Sequence, residues 1–166
     1  MTLSYVEGDL FAAIKNSPAP IIIPHVCNDV GAWGAGFVVP LGRHYPSTRD
    51  EYLKWAKSGD GTFRLGEMQT VCIDNICVVN MVAQQGLGGP RPLKYPALGK
   101  CMLGVRDFIK SQFVGAIHAP MFGSGLAGGN WNFIEQMILD AWVNFGIPTT
   151  IYYLPGQTPP GWTPPK

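Results

Sequence analysis

Charge is what this sequence has least of. Only 14% of its 166 residues are Asp, Glu, Lys or Arg and the formal net charge is +1, which argues against a nucleic-acid binder working by bulk electrostatics. No run of about 18 apolar residues occurs, so no membrane span is expected. The opening Met1-Thr2-Leu3-Ser4 lacks the basic and apolar regions of a signal peptide. Three histidines and four cysteines lie far apart, without paired metal-ligand spacing, so neither a zinc centre nor a cofactor is expected. Cys27, Cys72, Cys77 and Cys101 are scattered, three of them in apolar strand or helix contexts. A free thiol there behaves as a small hydrophobe, so all are expected to be reduced, in keeping with a cytoplasmic protein. No internal repeat is visible.

What is present is apolar and rich in shaped loops: 46% hydrophobic residues, 21 glycines and 15 prolines. That length and composition fit one domain with a sizeable core. Strands are expected over 3–6, 21–27, 68–73, 76–83, 114–120 and 149–154, and helices over 10–15, 37–44, 49–57, 96–112 and 131–145. Ser47 or Thr48 is the expected cap of the third helix, and Asn130 that of the last. Asp74-Asn75 between β-branched runs reads as a tight hairpin turn, which makes the sheet mixed. The alternation of strands, glycine loops and helices gives an α/β sandwich with helices on both faces. The tail 155–166 holds five of the fifteen prolines and is expected to be extended and mobile, with Trp162 docking on the body.

Two glycine loops carry the functional reading. Ile21-Ile22-Ile23-Pro24-His25-Val26-Cys27-Asn28 reads as a buried strand that breaks into Asp29-Val30-Gly31-Ala32-Trp33-Gly34-Ala35-Gly36-Phe37. A second apolar strand, containing His118, breaks into Met121-Phe122-Gly123-Ser124-Gly125-Leu126-Ala127-Gly128-Gly129. Ligands of open α/β sheets bind beyond the carboxyl ends of strands. Two such loops leading into helices offer unpaired amides and positive dipole ends, which suit a diphosphate without needing lysines. The spacing matches neither a Rossmann fingerprint nor a Walker motif.

Four segments in this order resemble the macro domain family: Val6-Glu7-Gly8-Asp9-Leu10, the His25-to-Phe37 stretch, the second glycine loop with Trp131, and Ile151-Tyr152-Tyr153-Leu154. The resemblance is to the branch holding the ADP-ribose 1''-phosphate phosphatases and terminal ADP-ribose glycohydrolases. It implies a three-layer α/β/α domain over 1–154 around a mixed sheet of about six strands. The implied ligand is ADP-ribose or ADP-ribose 1''-phosphate, with ADP-ribosylated macromolecules as further partners, no membrane, and a monomer. Residue by residue, the resemblance puts Asp9 and Leu10 at the adenine, with Tyr152 near it. Asn28 falls at the distal ribose, with Gln84 and Gln85 close to it. Gly34, Ala35, Gly36 and Phe37 match the first phosphate and ribose loop, and Ser124, Gly125, Leu126, Ala127 and Gly128 match the loop around the diphosphate.

The implied activity is phosphatase, with a non-catalytic ADP-ribose reader and a glycohydrolase as alternatives. Glycohydrolases of this branch carry a lysine and an aspartate where this sequence reads Ala83 and Ala127, so their route lacks its groups here. The phosphatase-like members share a histidine two residues before the Cys-Asn pair, and His25 fits it. His25 is then the catalytic imidazole, donating a proton to the leaving ribose oxygen or attacking phosphorus, with Asn28 orienting the ribose. On residue chemistry alone, a hydrogen-bonded structural role is the favoured reading of His25 and a helix cap that of Asp9, while Trp33 either pins its loop or shields the cleft. His118 reads as a satisfied core residue and His44 as surface.

Overall fold

The computed structural model describes residues 3–90, 92–112, 115–157 and 159. The expectation for the proline-rich tail lies mostly outside them, and that for Trp162 wholly so. Six strands, β1 Leu3–Glu7, β2 Ile21–Asn28, β3 Met68–Ile73, β4 Ile76–Gln84, β5 Ala116–Pro120 and β6 Thr149–Tyr153, form one sheet of order β1-β6-β5-β2-β4-β3. All neighbours run parallel except β3 with β4. The sheet is therefore mixed, and the carboxyl ends of the five parallel strands share one edge.

Strand side chains alternate between faces, and the core divides accordingly. Ile21, Ile23, Val78 and Tyr152 pack with Leu10, Phe11, Ile14 and Leu41 from α1 Leu10–Ile14 and α2 Val38–His44. Ile22, Val79, Ile117 and Ile151 face the other way, onto α4 Tyr95–Gln112 and α5 Trp131–Ala141. The remaining helix, α3 Pro46–Lys57, lies against β3 and β4. Helices thus cover both faces of the sheet.

Three local expectations are corrected. The third helix is not capped by Ser47 or Thr48: Pro46 occupies its first turn, where the missing N–H costs nothing, and the buried Thr48 hydroxyl donates to the Tyr45 carbonyl at 2.7 Å. The last helix does not run to 145. It stops at Ala141: at the fully buried Trp142, whose indole N–H donates to the Met102 carbonyl at 2.9 Å, φ stretches to −120°, and a 3₁₀ turn Val143–Phe145 follows. The cysteines are not all free. The two-residue turn sets Cys72 directly opposite Cys77, with Cα atoms 4.0 Å apart, and they form a disulfide. Cys27 and Cys101 are buried thiols. The cysteines therefore no longer argue for a reducing compartment.

The caps at Asp9 and Asn130 form as expected, accepting from the Phe11 and Phe133 amides at 2.9 and 3.2 Å. Asn130→Ala should cost about 1 kcal/mol of stability, read as a lowered urea midpoint at unchanged slope.

Candidate active site

One cleft of about 1180 Å³ opens at the carboxyl edge of the sheet. Loop 29–37 after β2 and loop 121–130 after β5 form opposite walls of it, close enough that a Cβ added to Gly36 would meet Leu126 Cδ1 at 3.5 Å. The amides of residues 34–37 and 125–127 donate to no acceptor among the described residues. Gly36, at φ +79°, keeps a backbone that a side chain would strain. The cleft wall is short of cations; Arg43 is the one on it among the described residues. Its capacity for an anion therefore lies in backbone N–H groups.

Asp9, Leu10, His25, Asn28, Gly34, Ala35, Gly36, Phe37, Gln84, Ser124, Gly125, Leu126, Ala127 and Tyr152 all line this cleft. Gly128 does not; its amide closes a turn onto the Gly125 carbonyl at 3.0 Å and supports the loop from behind. Gln85 is exposed and away from the cleft. Asp9 joins the cap and the rim in one side chain, since only one of its carboxylate oxygens is taken by the cap. Gln84 turns its amide onto the Gly86 carbonyl at 2.9 Å, and Ser124 donates to the Met121 carbonyl at 2.8 Å. Tyr152 pairs its hydroxyl with His118 Nδ1 at 2.8 Å. His44 is exposed, yet it stacks on Phe11 at 4.4 Å, and Phe37 also stacks on Phe11, at 5.5 Å.

Asn28 is spent mainly on its own loop. Its Oδ1 accepts from the Val30 and Ala32 amides at 3.1 and 3.0 Å, and its Nδ2 donates to the Ala32 carbonyl at 2.8 Å. The Tyr52 hydroxyl donates to the Asn28 carbonyl at 2.7 Å. Asp29 adds a tie to the next loop, accepting from the Gly86 amide at 2.8 Å. Trp33 does not line the cleft. It packs edge-on to His25 and against Tyr52, at 5.6 and 5.4 Å, and so pins the loop to the body.

His25 sits at the floor of the cleft, 1% exposed. Its Nε2 lies 2.5 Å from Asn80 Oδ1. Burial lowers its pKa from 6.5 to about 4, against a smaller upward effect of the Asn80 bond, so it is neutral at pH 7. Sequence reasoning placed Asp29 with His25 and Asn28 at the strand end but missed Asn80 and Tyr52 as parts of the site. The signal for Asn80 was there: a lone amide in the apolar run Val78-Val79-Asn80-Met81-Val82.

Ala83 and Ala127 are 0% and 5% exposed and belong to the core facing α4 and α5.

No family model matches the chain. A Candida albicans protein named ADP-ribose 1''-phosphate phosphatase is 30% identical over 142 residues, 82% of this chain and 91% of its own. One of the same name from Lodderomyces elongisporus is 34% identical over 55 residues only, about a third of either chain. A Mycobacterium tuberculosis protein named DNA ADP-ribosyl glycohydrolase is 24% identical over 157 residues, and this chain spans 42% of its length. Among solved structures, one from Bacteroides thetaiotaomicron superposes with a TM-score of 0.85 at 34% identity, covering 92% of this chain and 98% of that one. A macrodomain protein from Streptomyces coelicolor superposes with a TM-score of 0.79 at 34% identity, covering 92% of this chain and 99% of that one. With such identity over nearly the whole length, and with the same layered sheet, the chain belongs to the macrodomain family.

Proposed function

We propose that the cleft binds ADP-ribose and that the protein hydrolyses ADP-ribose 1''-phosphate to ADP-ribose and phosphate. One observation carries this reading: two glycine loops with unpaired amides meet over a cleft that has Asp9 at its rim and His25 and Asn28 at its floor. The diphosphate lies between the loops, Asp9 accepts from the adenine amine, and Leu10 and Tyr152 enclose the base. The distal ribose falls beside Asn28 and Gln84. The name of the Candida relative, matched over 82% of this chain and 91% of its own, supports the phosphatase branch.

His25 is neutral in the free protein, and its single N–H is too weakly acidic to protonate a leaving group at pH 7. It acts as a base instead. A bound phosphomonoester brings negative charge to the buried ring and raises its pKa again. Water attacks phosphorus while His25 takes its proton. The phosphorus–oxygen bond to the ribose breaks, and the same proton passes to the departing ribose oxygen. Loop amides neutralise charge on the transferring phosphoryl group. Asn28 holds the loop that supplies them.

A second reading, a reader that binds ADP-ribose without turnover, draws on the near-complete burial of His25. Glycohydrolase action on modified protein or nucleic acid has no lysine or aspartate to use at Ala83, packed into the core, or at Ala127, a methyl group on the cleft wall. The chain acts as a monomer in the cytoplasm on this proposal. No helix among the described residues is long and apolar enough to cross a membrane.

Calorimetric titration should show ADP-ribose binding well ahead of AMP and ATP; equal affinities would remove the premise. Incubation with ADP-ribose 1''-phosphate should release phosphate, and His25→Ala should cut kcat by about a hundredfold or more while ADP-ribose binding stays within a few-fold. Unchanged release in that variant would rule His25 out.

A pH dependence of stability follows from the same burial. Between pH 6.5 and about 4 the unfolded chain binds a proton at His25 that the folded protein does not. Stability therefore falls as pH is lowered through that window, by on the order of 3 kcal/mol in full, with half-buried His118 adding in the same direction. Urea midpoints measured across that range should drop in the wild type and drop less in His25→Gln.

A further inference from the structure

Asn80 lies in the middle of β4, paired in register with His25 of β2, and is 0% exposed. A buried carboxamide is costly unless its groups are matched, and here the matching runs in one direction. The Gln69 Nε2 donates to the Glu51 carbonyl at 3.0 Å, which leaves Gln69 Oε1 facing Asn80 as an acceptor. The Asn80 Nδ2 donates to that Oε1 at 3.0 Å and to the Thr48 carbonyl at 3.3 Å. Backbone carbonyls only accept, so the two from α3 fix both amides. Flipping Asn80 would set its oxygen against two acceptors. Its Oδ1 is left for His25, 2.5 Å away, and the imidazole must supply the proton there from Nε2.

We propose that Asn80, oriented through Gln69 and Thr48, is the positioning residue that holds His25 as its Nε2–H tautomer and so leaves Nδ1, within reach of the Cys27 thiol at 3.9 Å, as the unprotonated nitrogen of the ring. Its use in catalysis rests on the reading of His25 as the base of a phosphatase. The titratable groups packed about the ring are Cys27, with its sulfur 3.7 and 3.9 Å from the two ring nitrogens, and Tyr52 beyond Trp33. Burial keeps both protonated. From the α1 and α2 side the ring meets Phe37, and no ion pair among the described residues includes it. The tautomer is thus set by hydrogen-bond direction, with no charge involved.

The test combines imidazole nitrogen NMR on the full chain with phosphate release from ADP-ribose 1''-phosphate. In the wild type, Nε2 should carry the proton and Nδ1 should be bare near neutral pH. Asn80→Asp is nearly isosteric, and its carboxylate should raise the His25 titration by about one unit or more and move the pH–rate profile the same way. Gln69→Leu releases the Asn80 amide without emptying the core. It should lower kcat by about threefold to tenfold at unchanged KM and mix the two tautomers, as expected for a group acting only through positioning. A wild-type ring protonated at Nδ1, or an Asn80→Asp variant with the wild-type titration and profile, would overturn the proposal. Wild-type protein that releases no phosphate would overturn the phosphatase reading alone, because the nitrogen spectra still decide the relay.

Discussion

The loop between β2 and α2 has little regular structure to hold it, and the Asn28 carboxamide is what gives it shape. Three bonds from that one side chain reach Val30 and Ala32, while Tyr52 secures the Asn28 backbone from α3. These contacts fold residues 29–32 back on the strand end, and residues 34–37 are carried over the cleft with their amides unspent. Trp33 completes the clamp by filling the space beside Gly42, where a Cβ would meet its indole nitrogen at 2.9 Å. Without these ties the loop would have to be ordered by the ligand, at the ligand's cost in affinity.

A site made this way explains the low charge of the chain. Amide dipoles held in place stabilise an anion without mobile side chains to be ordered. The cleft therefore needs little excess positive charge, and the +1 balance of the sequence is no obstacle to a doubly charged ligand. The same economy bears on specificity. On the proposed reading, Asp9 at the rim adds a carboxylate oxygen left over from the helix cap, which would discriminate between bases by what they donate.

Much of this was legible in the sequence because it rests on local rules. The β-branched run Ile21-Ile22-Ile23 announces a strand covered on both sides, and the structure sends alternate residues into separate cores. Asp9 and Asn130 were readable as caps, Asp74-Asn75 as a turn, and the paired glycine loops as one site. What escaped depends on partners distant in sequence. Asn80 gains its meaning from His25, 55 residues away, and from Gln69 across the hairpin. The Cys72–Cys77 bridge was missed although the hairpin that creates it was read correctly; the register puts the two opposite each other, and composition had suggested free thiols. Trp142 ends its helix for a contact with Met102 that no local pattern encodes.

The alanines at 83 and 127 connect the fold to the chemistry. Ala83 is the extra residue of β4 where the register with β2 slips between Cys27 and Asn28, so Cys27 pairs with Val82 and Asn28 with Gln84. That slip turns Asn28 and Gln84 to the cleft and leaves Ala83 in the core, its carbonyl bonded to the Lys94 amide at 2.8 Å. Ala127 is held likewise, its carbonyl accepting from Leu93. Two positions that border the site thereby carry only methyl groups, Ala83 buried in the core and Ala127 on the cleft wall. Reaction in this cleft, on the proposed reading, must draw on what remains at its floor and walls. Those are the backbone amides of two loops and a neutral imidazole whose usable nitrogen is chosen by its neighbours.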